Sequence, residues 1–78
     1  MTKTEKLALK LVVLASEKSY ANGGYADITR VNKDSCYTVL KIQMYFEFFR
    51  KVASFEVLLG KDDAIDTLNE CIEFCNSV

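Results

Sequence analysis

The chain has 78 residues, half of them hydrophobic, with 10 basic and 11 acidic side chains, three cysteines, and no histidine, proline or tryptophan. That length allows one domain, residues 1–78, whose lone core contributes only about 3–5 kcal/mol of net stability. Without histidine there is no Ser–His or Cys–His nucleophile pair, and a net charge of −1 withholds the basic footprint of phosphate-backbone binding.

Charge is unevenly spread. Residues 1–33 hold six basic and three acidic side chains, 34–59 hold three of each, and 60–78 set Lys61 against five acids. A basic head and an acidic tail can pair within a chain or between chains.

A first helix is predicted over 4–20, capped by Thr2 or Thr4. Leu7, Leu11 and Leu14 recur at helical spacing, with Ala8, Val12 and Ala15 beside them. The apolar run 7–15 follows Lys3 and Lys6, but Lys10 interrupts it and Glu5 sits among the basic residues. A signal peptide is not expected, and a cytoplasmic location is. Asn22, Gly23 and Gly24 supply the conformations that end a helix.

Residues 21–34 are expected to be a crossover loop, in which Tyr25, Ile28 and Val31 can form a strand or a short helical turn. At 14 residues it exceeds the usual connection between bundle helices.

A second helix is predicted over 35–59, capped by Asp34 or Ser35 and stopped by Gly60. At about 100° per residue, Val39, Ile42, Phe46, Phe49 and Ala53 make one apolar stripe. Leu40, Met44, Phe48, Phe55 and Leu59 make another on nearly the opposite side. An ordinary surface helix is apolar over little more than 100° of its circumference. Lys41, Glu47, Arg50, Lys51 and Glu56 argue against a membrane span.

A third helix is predicted over 62–76, with Asp62 as cap. Ile65, Leu68, Cys71, Ile72 and Cys75 form its buried stripe, and Asp66, Glu70 and Glu73 its outer face. The expected fold is therefore all-α, a three-helix bundle around a long and very apolar central helix. Two short neighbours cannot cover that helix, so a homodimer is expected through Tyr37, Met44, Phe48, Phe55 and Leu59.

Chemistry is sparse. Cys36, Cys71 and Cys75 lack disulfide or zinc spacing and read as buried hydrophobes, so no metal, cofactor or catalytic residue is expected. Gly60-Lys61 lacks the rest of a phosphate-binding loop. Asp27-Ile28, Ser35 and Thr38-Val39 fall at spacings that resemble a helix-turn-helix motif, which implies a small DNA-binding regulator. Asn32, Lys33 and Asp34 stand where that motif has leucine, glycine and isoleucine.

Tyr20, Tyr25, Arg30 and Lys33 can bind an anion, nucleotide or peptide through the 20–34 loop, and Asp66, Glu70 and Glu73 suit a basic partner. The favoured expectation is a non-catalytic adaptor or inhibitor that binds a larger protein stoichiometrically, of the size and style encoded by phages and mobile elements. Nucleic acid is the less favoured partner, and no membrane is expected.

Overall fold

Of the two caps offered by the sequence, Thr2 and Thr4, it is Thr2 that opens the first helix. Its hydroxyl oxygen accepts from the Glu5 backbone N–H at 3.1 Å, satisfying one of the donors a helix start leaves free. The computed structural model describes residues 1–33 and 37–78, with only the backbone of Lys33. Helix α1 spans Lys3–Ala21 and strand β1 Tyr25–Lys33. Strand β2 spans Tyr37–Phe46, followed by a short turn Glu47–Phe49 and strand β3 Arg50–Leu58. Helix α2 spans Ala64–Asn76.

The expected all-α bundle is overturned. The architecture is α+β, with two helices on one face of a three-stranded antiparallel sheet ordered β1-β2-β3. The long central helix does not exist: 35–59 contains two strands and the turn between them.

The reason lies in the spacing. Leu40-Lys41-Ile42-Gln43-Met44 and Ser54-Phe55-Glu56-Val57 alternate apolar with polar, the period of a half-buried strand. Wrapped on a helix, a period of two falls on two opposite sides, which is why the helical reading found two opposed stripes. The segment is also rich in Val, Ile, Thr, Tyr and Phe, whose branched or aromatic side chains suit a pleated surface. Within 21–34, the strand offered as one option for Tyr25, Ile28 and Val31 is the one that forms.

Pairing register fixes the two faces. Ile28 opposes Ile42, which opposes Phe55. Arg30 opposes Leu40, which opposes Val57. Ala26 opposes Met44, which opposes Ala53. These residues point towards the helices. Leu40, Ile42, Met44 and Val57 are buried against Ala8, Leu11 and Ala15 of α1 and Leu68, Cys71, Ile72 and Cys75 of α2. At about 25 cal/mol per Å2 of apolar surface removed from water, this single layer supplies the main stabilising term. The predicted apolar stripes of the two real helices largely coincide with what is buried, although Ile65 is only half-buried and Ala64 is buried as well.

The second helix begins later than expected, at Ala64 with Asp63 as its cap residue, and the Asp63 side chain makes no capping bond. The helix-turn-helix expectation fails on the same geometry. Asp27, Ile28, Thr38 and Val39 lie on paired strands, and Ser35 lies outside the described residues, as do Asp34 and Cys36.

The opposite face of the sheet carries Tyr25, Asp27 and Thr29 of β1, then Lys41, Gln43 and Tyr45 of β2. The β1 members are exposed. Neither helix covers this face.

Candidate binding surface at the end of the sheet

Two phenylalanines project from the β2–β3 connection. Phe48 is 92% exposed and Phe49 80%. Both have positive φ, 62° at Phe48 and 55° at Phe49. Successive positive φ values are what a type I′ hairpin turn demands, and Asn-Gly is the pair that adopts them most easily. For other L-residues this region costs roughly 1–2 kcal/mol each, because Cβ crowds the following carbonyl oxygen. Two large apolar side chains therefore occupy positions that disfavour them twice, by backbone conformation and by exposure to water.

The surroundings hold the turn in place. The Glu47 backbone N–H donates to the Asn22 carbonyl at 3.0 Å, and the Gly24 N–H donates to the Ser19 carbonyl at 2.9 Å. These bonds tie the α1–β1 link to the base of the hairpin. Gly23, at φ 81°, makes the bend that lets the two segments meet. A register shift follows Met44, where Ala53 and Lys51 face Met44 and Tyr45 and leave Val52 as the extra residue. Such a bulge adds twist next to the tip.

Aromatic rings continue from the tip onto the open face. Phe49 meets Tyr25 edge-on at 6.4 Å between centroids, and Tyr25 stacks on its cross-strand partner Tyr45 at 4.9 Å. Offset stacks and edge contacts of this kind contribute about 0.5–1.5 kcal/mol each beyond area burial. Beside the rings is a cleft of about 290 Å3 lined by Gly23, Gly24, Tyr25, Phe46, Phe48 and Phe49. Tyr20, in the last turn of α1, is exposed, and its carbonyl accepts from the Gly23 N–H at 3.1 Å. Glu47, Arg50 and Lys51 flank the tip, and among the described residues the one ion pair lies elsewhere, between Arg30 and Glu5.

The expected site residues are redistributed. Of the expected dimer stripe, Met44 is fully buried, with its sulfur 3.8 Å from the Cys75 thiol. Phe55 packs half-buried against the core and meets Phe74 edge-on at 5.6 Å. Leu59 is half-buried against the core, and Tyr37 starts β2. Only Phe48 is fully displayed, so the five do not form one exposed surface: Met44 and Phe55 face the helices, and Phe48 stands at the turn.

Of the expected partner-binding residues, Tyr25 lies at the tip against Phe49, and Tyr20 is exposed in the last turn of α1. Arg30 points towards the helices instead, and its guanidinium donates to a Glu5 carboxylate oxygen at 2.6 Å. Lys33 closes β1. Asp66, Glu70 and Glu73 are exposed along one side of α2, far in sequence from the aromatic tip. Phe49, Arg50 and Lys51 were not among the expected site residues. The signal available for them was the Phe48-Phe49 pair between two alternating runs, which marks a hairpin apex once the period of two is recognised.

Cys71 and Cys75 are free and buried. Burial pushes the Cys71 thiol up to about 11, with the nearby Cys75 and Glu70 adding to the shift. Burial also raises the Cys75 thiol, opposed by Lys18. Thiols held in the protonated form are poor nucleophiles and poor metal ligands. Among the described residues no cluster of cysteines and acids is arranged to hold a metal ion. No helix among them is long and apolar enough to cross a membrane.

A second hollow, of about 460 Å3, runs along the outside of α1 between Leu9, Val13 and Asn76. It is bordered by Lys10 and Glu17 and has no strained backbone beside it. Compared with known proteins, the chain matches no family model, no curated protein and no solved structure.

Proposed function

We propose that the chain is a non-catalytic protein-binding module, an adaptor or inhibitor that inserts the Phe48–Phe49 hairpin tip into an apolar recess of a larger protein. The observation that carries this reading is the pair of exposed aromatic rings held at positive φ. Strain of that kind persists where the surrounding structure over-determines it, and it clusters at ligand clamps and binding sites. Isolated exposed apolar residues are ordinary, but a contiguous aromatic patch rimmed by charge marks an interface. Aromatic and arginine side chains are the commonest binding hot spots, and Arg50 adjoins the two rings.

The adjacent cleft favours a protein partner over a bilayer, since a tip that dissolves in lipid gains nothing from a hollow beside it. At about 290 Å3 the cleft sits at the lower limit of small-molecule sites, which suits one partner side chain better than a cofactor.

The test is stoichiometric capture from native lysate with the full chain, comparing the original sequence with Phe48→Asn/Phe49→Gly and with Asp66→Lys/Glu70→Lys/Glu73→Lys. Capture should be lost in the first variant and kept in the second. Capture that survives the tip change, or disappears on reversing the α2 charges, contradicts the proposal. Binding to anionic vesicles instead of a protein would also overturn it.

A further inference from the structure

The cleft beside the tip is walled largely by rings. Of its six lining residues, Tyr25, Phe46, Phe48 and Phe49 are aromatic, the other two are glycines, and none is aliphatic or charged. Tyr25 and Phe49 meet at 69°, so the pair forms a corner rather than a stack. An aromatic ring is negative on its face and positive at its edge. Several rings around one hollow therefore favour a cation over a neutral group of the same shape.

The formal charge set against this cleft is negative. A Cβ on Gly23 would lie 3.1 Å from the Cβ of Glu47, so Glu47 stands directly beside a residue of the lining. Its backbone N–H donates to the Asn22 carbonyl at 3.0 Å, which fixes where the side chain starts. Glu47 is exposed and forms no ion pair among the described residues. The basic residues of the hairpin lie on the other flank. Arg50 pairs across from Phe46 and Lys51 across from Tyr45, on β3, which β2 separates from β1 and the glycine link. Neither lines the cleft.

We propose that the cleft takes the guanidinium of an arginine carried by the partner protein, held against the rings and beside the Glu47 carboxylate. This assignment rests on the reading of the tip as a protein-binding surface and gives the partner's recess its chemistry, an apolar floor for Phe48 with an arginine at the rim. A guanidinium is flat, always charged and more weakly hydrated than an ammonium, so it gives up less water to lie on a ring than a lysine does. The cleft, at about 290 Å3, has room for one such head.

NMR titration of the purified full chain with N-acetyl-arginine amide, N-acetyl-citrulline amide and N-acetyl-leucine amide tests this without the partner. Citrulline keeps the shape of arginine and removes its charge. The arginine amide should shift the resonances of Gly23, Gly24 and Phe49 with a millimolar dissociation constant. It should bind about three- to thirtyfold more tightly than the citrulline amide. Glu47→Gln keeps the backbone bond to Asn22 and should bring arginine binding down towards that of citrulline, with citrulline unchanged. Phe49→Leu keeps the cleft apolar and should remove most of the preference for charge. Glu70→Gln, on α2, removes the same charge elsewhere and should leave the preference intact. No binding, equal binding of arginine and citrulline, tighter binding of leucine, or indifference to Glu47→Gln overturns the proposal. If tip-dependent capture from lysate stands when that happens, this inference alone falls. Arginine-selective binding with capture indifferent to the tip leaves the guanidinium site standing and sinks the partner reading alone.

Discussion

Gly24 lies flat against the backbone of Tyr45. A Cβ built on Gly24 would fall on the Tyr45 carbonyl and 2.7 Å from the Cα of Phe46. This contact lets the end of α1 brace the hairpin that carries the aromatic tip. Gly24→Ala should destabilise the fold at or beyond the roughly 1–3 kcal/mol typical of overpacking, since a backbone atom cannot swing aside. Urea denaturation measures it, and a change within a few tenths of a kcal/mol would show the contact to be loose.

The strained turn makes the reverse prediction. Phe48→Asn/Phe49→Gly removes two exposed rings and installs the residue pair that fits positive φ best. The gain is partly offset by losing the Phe49 edge contact with Tyr25. A net stabilisation of about 1 kcal/mol is expected, which raises the melting temperature of a domain this size by about 4–8 °C. Calorimetry decides it, and a lower melting temperature would show that the tip is a structural element rather than a costly display.

Ser19 is fully buried on α1, and its hydroxyl has no hydrogen-bond partner among the described residues. An unpaired buried hydroxyl forfeits its water contacts, at about 1–3 kcal/mol. Ser19→Ala should therefore be neutral or stabilising by up to about 1 kcal/mol. A marked loss of stability would reveal a partner for that hydroxyl.

The buried thiols give a pH dependence of definite sign. Cys71 titrates at about 11 in the fold, above its ordinary value of 9.0. Between those values the unfolded chain has already released the proton that the folded chain retains, so stability is complete below about pH 9 and falls as the pH rises towards 11. Cys71→Ser should flatten that decline in denaturation midpoints measured across the alkaline range. At neutral pH both thiols should react with Ellman's reagent only as fast as the chain opens. Rapid labelling of Cys71 or Cys75 in a Cys36→Ser background would contradict their burial.

The two helices were legible in the sequence because each has a 3.6-residue apolar period, and α1 also has end signals, Thr2 before it and Asn22 and Gly23 after it; the cap expected for α2, Asp62, falls one residue before the observed cap position, Asp63. The sheet was not, although its signal was present. Leu40, Ile42 and Met44 are two apart, and Leu40 and Met44 are also four apart, so a short strand satisfies part of a helical template. Opposed apolar stripes covering most of a helix were the symptom of that mismatch.

The site was legible only in fragments. Tyr20, Tyr25 and Phe48 are chemically conspicuous in any fold. Pairing them with Phe49 and the two glycines required knowing that residues 23–25 and 45–49 meet, a contact made by strand register and by the Glu47–Asn22 backbone bond. The Arg30 ion pair was not legible because its partner, Glu5, lies 25 residues away on a helix that packs over the sheet.

The most direct test of the tip as the binding surface is a photo-crosslinking phenylalanine derivative placed at position 48 of the full chain, with position 70 on α2 as the control, exposed in native lysate. One discrete protein adduct should form from position 48 and none from position 70. An adduct from position 70 with none from position 48 would contradict it.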